Sequence, residues 1–128
     1  MTAHVDTFAR DHLPPKEQWP DFINLDRFEY PETLNCAGPL LDDAIAEGHG
    51  DRLAVIMSEG QWTYAELQAD ANRIARVLTE DLGLVPGNRV LLRAPNNYKM
   101  LACWFGVIKS GGIAVATMPL LRATELRT

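Results

Sequence analysis

The segment from Asn97 to Thr117 places the tightest constraint on the fold. It reads as a helix, then Ser110-Gly111-Gly112, then the apolar strand Ile113-Ala114-Val115-Ala116-Thr117. Met100, Leu101, Cys103, Trp104, Phe105, Val107 and Ile108 cover more than one side of that helix. An ordinary surface helix carries a single apolar stripe, so a helix greasy on several sides needs neighbours on several sides. Helix and strand therefore belong inside a layered body. The chain stops at Thr128, soon after the strand, and we expect it to be the leading part of a larger protein.

Composition narrows the class. The 128 residues are 47% apolar and 23% charged, the make-up of a folded domain rather than a disordered one. A net charge of -5 argues against a nucleic-acid surface, which needs clustered Lys and Arg. No stretch approaches the ~20 apolar residues that span a bilayer. Asp6, Arg10, Asp11 and Lys16 interrupt the leading residues, so no signal-peptide core is present there. The expectation is a soluble cytoplasmic protein with no nucleic-acid or membrane partner. Cys36 and Cys103 lack CxxC spacing and read as buried free thiols, with a disulfide between them as the alternative.

Residues 1–38 differ from the rest. Pro14, Pro15, Pro20 and Pro31 block regular structure, while Phe8, Trp19, Phe22, Phe28 and Tyr30 have large areas to bury. We expect an irregular arm lying across a larger body; a mobile terminus is the competing reading.

Residues 39–128 read as the start of an α/β domain. Pro39 suits a first helical position, Leu40, Leu41, Ala44 and Ile45 make one stripe, and Gly48 closes a short helix. Leu53 to Met57, the three-residue connection Ser58-Glu59-Gly60, and Gln61-Trp62 predict a hairpin. Thr63-Tyr64-Ala65-Glu66 has capping-box spacing. Leu67, Ala71, Ile74, Ala75, Leu78 and Leu82 continue at helical spacing to a stop at Gly83. Arg89 to Leu92 reads as a buried strand, and Asn96 or Asn97 can cap the apolar helix. Strands alternating with helices predict a partial layered sheet: a β-hairpin, then α-β-α-β, with the last two strands parallel. Residues 122–126 read as a helix just beginning.

Site chemistry is sparse. Ser110-Gly111-Gly112 precedes a strand, whereas a phosphate-cradling loop follows a strand and opens a helix. His4, His12 and His49 show no metal-ligand spacing. Asp42, Asp43 and Glu47 read as a solvated helix face, and Ser58 has no histidine nearby to activate it. No catalytic or metal-binding residue is assigned. Ligands of open α/β sheets gather at strand carboxyl ends. There Arg93 and Arg122 are the candidate contacts for an anionic ligand, with ordinary surface arginines as the alternative.

Three segments carry a family resemblance. Trp62-Thr63-Tyr64-Ala65-Glu66-Leu67 resembles the first core motif of the adenylate-forming acyl-CoA synthetases. Gly87-Asn88-Arg89-Val90-Leu91-Leu92 with Ala94-Pro95-Asn96 is similar to that family's G-D-x-V strand and PN turn. Trp104 to Gly112, with Ile113 to Pro119, is similar to its second core motif, LKAGGxxVPxxP. The arm and Leu34-Asn35-Cys36-Ala37 look most like the aryl-CoA ligase branch, the benzoate and 2-aminobenzoate enzymes. Departures are Trp62 for Leu, Ser110 for Ala, and Leu120 where some relatives place a basic side chain near the coenzyme A route.

The resemblance implies an N-terminal piece of the large domain of an AMP-forming aryl- or acyl-CoA ligase. Its parent would use ATP, Mg2+ and coenzyme A to turn a carboxylate into an acyl adenylate and then a thioester. The phosphate loop, acidic segment and lysine that do this chemistry in the family have no counterpart in these residues. The chain alone is thus expected to be inert, weakly stable and prone to self-association through uncovered apolar surface. Its partners would be the rest of the synthetase. The alternatives are part of a nonribosomal-peptide adenylation domain, or a complete small α/β interaction module. A dinucleotide-binding half would need a glycine fingerprint after the first strand, and Ser58-Glu59-Gly60 stands there instead.

Overall fold

The structure, a computed structural model, describes residues 3–24 and 27–127. Thr128 lies outside them. Strands β1 (Leu53–Met57) and β2 (Gly60–Thr63) form an antiparallel hairpin. Gly60 pairs with Met57, so the connection is the two residues Ser58-Glu59 and is one residue shorter than the sequence suggested. Thr63 ends β2 and caps the helix Tyr64–Arg76. Its hydroxyl accepts the Glu66 N–H at 3.2 Å, and the Glu66 carboxylate accepts the Thr63 N–H at 2.8 Å. Two donors that helix geometry leaves orphaned are thereby satisfied. A π-helical turn, Val77–Asp81, extends this helix, and Gly83 at φ +65° terminates it.

Two four-residue helical turns precede it and set the numbering: α1 is Phe8–Asp11, α2 is Asp43–Ala46, and Tyr64–Arg76 is α3. The π-helical turn Gly38–Asp42 runs directly into α2, with Pro39 in its first turn. Strand β3 (Arg89–Arg93) leads through Ala94–Asn97 into α4 (Tyr98–Lys109) and then β4 (Ile113–Thr117). Asn97 is the cap, its side-chain oxygen accepting the Met100 N–H at 2.9 Å. β3 and β4 pair in parallel from Arg89↔Ile113 to Arg93↔Thr117. The α/β layering expected from the sequence is present as two separate two-stranded sheets against α3 and α4. No described helix is long and apolar enough to cross a membrane.

Burial corrects three expectations. β3 is not a buried strand here: its residues alternate, and Leu91 is 53% exposed beside its register partner Val115. Cys36 is exposed and Cys103 half-buried, and both are free thiols. Asp42 does not belong to a solvated face. Its carboxylate accepts Gln68 Nε2 at 2.7 Å and pairs with the Lys109 ammonium, tying the turn before α2 to both α3 and α4.

The core lies where α3 crosses α4 under the hairpin. Leu41, Val55, Leu67, Ala71, Tyr98, Ala102 and Phe105 fill it. Trp62 stacks on Tyr98 with ring centroids 4.2 Å apart and planes 7° from parallel. Tyr98 is itself buried, so its hydroxyl needs a partner. It donates to the Asp70 carboxylate at 2.6 Å. Burial and the neighbouring Asp70 charge both raise the Tyr98 pKa. The same hydrogen bond, assisted by Arg73, holds the Asp70 carboxyl below its ordinary value against desolvation.

A carboxyl depressed in the folded state stabilises the fold above its unfolded pKa, and that contribution fades as pH falls through the folded value. Tyr98→Phe removes the main cause of the depression. The variant is expected to lose about 1–2 kcal/mol at neutral pH, the low side of the range for a hydrogen bond to a charged group, because the partly exposed Asp70 carboxylate regains water. Its stability should also fall less steeply than wild type below about pH 4. Urea unfolding at a series of pH values measures both effects.

The leading residues dock on the turn before β3. Val5 and Asp6 both donate their N–H to the Pro86 carbonyl, at 2.9 and 3.0 Å. The Asp6 carboxylate accepts the Phe8 N–H and Asn88 Nδ2 and pairs with Arg89, so its pKa is lowered, first by the backbone donor. The Phe8 ring lies 4.5 Å from the Arg89 guanidinium carbon. Gly87 makes this approach feasible: it sits at φ +95°, and a Cβ there would lie 2.2 Å from the Asp6 carbonyl oxygen. Further along, Asn35 Nδ2 donates to the Ile108 carbonyl at 2.8 Å.

Candidate functional site

A parallel β-α-β unit delivers both of its strand carboxyl ends to one edge, because the helix carries the chain back to the starting side. Here that edge gathers Arg93 to Asn97 and Thr117 to Arg122. Arg93 is the last residue of β3 and pairs in register with Thr117. Its guanidinium does not project freely. It donates to the Pro119 carbonyl at 2.6 Å, reaching across the strand ends to the segment that leaves β4.

Arg122 lies five residues beyond β4 and is exposed. The Arg122 backbone N–H donates to the Glu125 carboxylate at 2.6 Å, and the Arg122 carbonyl accepts from the N–H groups of Glu125 and Leu126. Residues 122–126 thus form one hydrogen-bonded turn where the sequence suggested a helix beginning. One turn fixes many dihedrals for few hydrogen bonds, so it does not propagate by itself. Arg93 therefore sits at the edge with its guanidinium engaged by backbone, while Arg122 lies on the segment that leaves the edge and is presented to solvent.

The remaining candidates resolve differently. The N–H groups of Ser110, Gly111 and Gly112 donate to the carbonyls of Gly106, Ile108 and Val107, at 3.1, 3.0 and 2.9 Å. They close α4 and are not free to cradle a phosphate. His12 Nδ1 lies 2.8 Å from the Phe8 carbonyl, with its ring stacked on Phe8. Among the described residues no three His, Cys, Asp or Glu side chains converge as a metal site. Ser58 is exposed and its hydroxyl donates to Glu59. An open groove of about 930 Å³ runs beneath the arm on the opposite edge, between Asn35, Cys36, Trp104 and Ile108. Among the links that the sequence reading missed are Tyr98 to Asp70, Asp42 to Lys109, and Arg93 to Pro119. Each joins residues 26 or more positions apart, and no local spacing signals such a pair.

Comparison with known proteins places these elements in context. The family model described as AMP-binding enzyme matches residues 42–128. Surfactin synthase subunit 1 of Bacillus subtilis is 40% identical over 79 residues, covering 62% of this chain and 2% of that protein. Benzoate–CoA ligase of Thauera aromatica is 32% identical over 95 residues, covering 74% of this chain and 18% of that protein. Among solved structures, ATP-bound MatB from Rhodopseudomonas palustris superposes with a TM-score of 0.65 at 28% identity, covering 72% of this chain and 18% of MatB. The chain spans only a small part of the length of each.

Proposed function

Because the chain belongs to the AMP-binding enzyme family, we propose that it supplies the leading layers of an AMP-forming aryl- or acyl-CoA ligase. In this reading a small carboxylic acid is joined to AMP at the expense of ATP, with Mg2+, and then passed to the thiol of coenzyme A. The observation that carries it is the family match across the whole hairpin and β3-α4-β4 unit, together with the likeness to a benzoate–CoA ligase. Arg93 and Arg122 are the two candidate cations near the carboxyl edge, and of these Arg122 is the one whose side chain is exposed to an anionic ligand while Arg93 is engaged by the Pro119 carbonyl. The catalytic residues are assigned to polypeptide outside this chain, and the chain alone is inert.

Exposed apolar surface supports a covering partner. Leu91 and Val115 lie side by side on one sheet face, at 53% and 39% exposure. Leaving a large apolar side chain in water forgoes about 1.5–3 kcal/mol. A net stability of about 5–15 kcal/mol leaves little room for several such losses. Part of a nonribosomal-peptide adenylation domain is the second reading, favoured by the 40% identity to the surfactin synthase subunit.

The test uses the full-length gene product. Benzoate, 2-aminobenzoate and a panel of amino acids are each supplied with ATP and Mg2+, with and without coenzyme A. The ligase reading expects carboxylate-dependent AMP release and an acyl-CoA product. Activation of an amino acid with no release to coenzyme A would favour the second reading. No carboxylate-dependent turnover of ATP with any substrate would overturn both. The 128-residue chain should give no thioester in the same assay.

A further inference from the structure

Within this chain, burial holds the segment that leaves β4 only at the half-buried Leu121. Met118 is 63% exposed and Leu120 is 83% exposed, so neither packs firmly enough to orient the backbone. Polar contacts are what give it a direction. At its start Arg93 donates to the Pro119 carbonyl at 2.6 Å. At its far end the Glu125 carboxylate accepts the Arg122 N–H at 2.6 Å. A charged donor on a neutral carbonyl makes a stronger bond than a neutral pair, and it orients the planar Pro119–Leu120 peptide unit from which the chain runs on to Arg122.

We propose that Arg93 is a positioning residue, while Arg122 is the residue that meets the anionic ligand. Arg93 sets the path of residues 118–122 and thereby the place of the Arg122 cation at the strand carboxyl edge. The division of labour follows from the geometry, since one guanidinium is already committed to backbone and the other faces solvent. That the ligand is an anionic substrate rests on the ligase reading above; that Arg93 pins the segment does not.

The experiment combines amide hydrogen exchange and steady-state kinetics on the full-length gene product, comparing wild type with R93A, R93K and R122A. In R93A, amides of residues 118–126 should exchange about fivefold faster, the scale of a partly solvated charge-assisted bond. Exchange in β3, α4 and β4 should stay within twofold. R93K keeps a charged donor and should restore most of the protection. R122A should leave exchange unaltered yet share with R93A a rise of about fivefold in KM for one anionic substrate, with kcat changed less. Exchange in R93A within twofold of wild type across 118–126 would overturn the proposal, as would acceleration spread equally through β3 and β4. An R93A loss of binding without faster exchange would make Arg93 a direct contact and also overturn it. If the wild type activates no carboxylate, the ligase reading falls and the exchange data still decide the pin.

Discussion

Truncation of Leu41 to alanine should destabilise the fold by about 3 kcal/mol, within the ~2–5 kcal/mol seen when a buried leucine is cut back to alanine. Leu41 is fully buried, in the turn Gly38–Asp42 that leads into α2. Its side chain belongs to the same core as Leu67, Ala71 and Phe105. The loss has two parts, the forgone transfer of methyl and methylene groups and the cavity left behind. Partial collapse of the neighbourhood would lower the second part only. Nearby Asp42 limits that collapse, because its bonds to Gln68 and Lys109 hold the turn in place. Urea unfolding followed by tryptophan fluorescence measures the midpoint, and Leu40→Ala is the control. Leu40 is 55% exposed, so its truncation should cost well under half as much.

Overfilling the same core should cost a similar amount. Gly106 lies on α4 facing α3, where a Cβ would stand 2.6 Å from Ile74 Cγ2, 2.8 Å from Ile74 Cβ and 3.2 Å from the Ala71 carbonyl oxygen. The Ile74 Cβ and the backbone oxygen cannot swing aside as a side-chain tip can, so the helices must part. Overpacking of this kind costs about 1–3 kcal/mol. Replacing glycine inside a helix returns up to about 1 kcal/mol of propensity. Gly106→Ala is therefore expected to lose about 1–2 kcal/mol, and Gly106→Val about 3 kcal/mol. Valine adds two methyl groups and recovers less propensity. A Gly106→Ala protein as stable as wild type would show that α3 and α4 do not meet as closely as described.

These two positions explain how far local reading reaches. Leu41, Leu67 and Ala71 are legible as core because each lies on an apolar stripe at helical spacing, although Leu40 and Leu82 of the same stripes are exposed, and the hairpin partner Trp62 precedes a capping box that announces α3. The parallel pairing of β3 and β4 was legible from their helical crossover. Gly106 was not legible as a close helix crossing. One glycine inside an apolar run signals nothing until the opposing helix is present.

The candidate edge divides in the same way. Arg93 and Arg122 could be named from the rule that strand carboxyl ends collect ligands. Their different commitments could not, since the bond from Arg93 to Pro119 spans 26 residues and depends on strand register.

Local order was therefore written in the chain itself: apolar periodicity, caps and turn glycines act over a few residues, where backbone sterics and hydrogen-bond reach decide the outcome. Tertiary structure alone decided which charges became anchors. Asp42 joined Lys109, Asp70 joined Tyr98, and Arg93 joined Pro119. Such pairings form only after packing has brought distant segments within about 3 Å and removed much of the competing water.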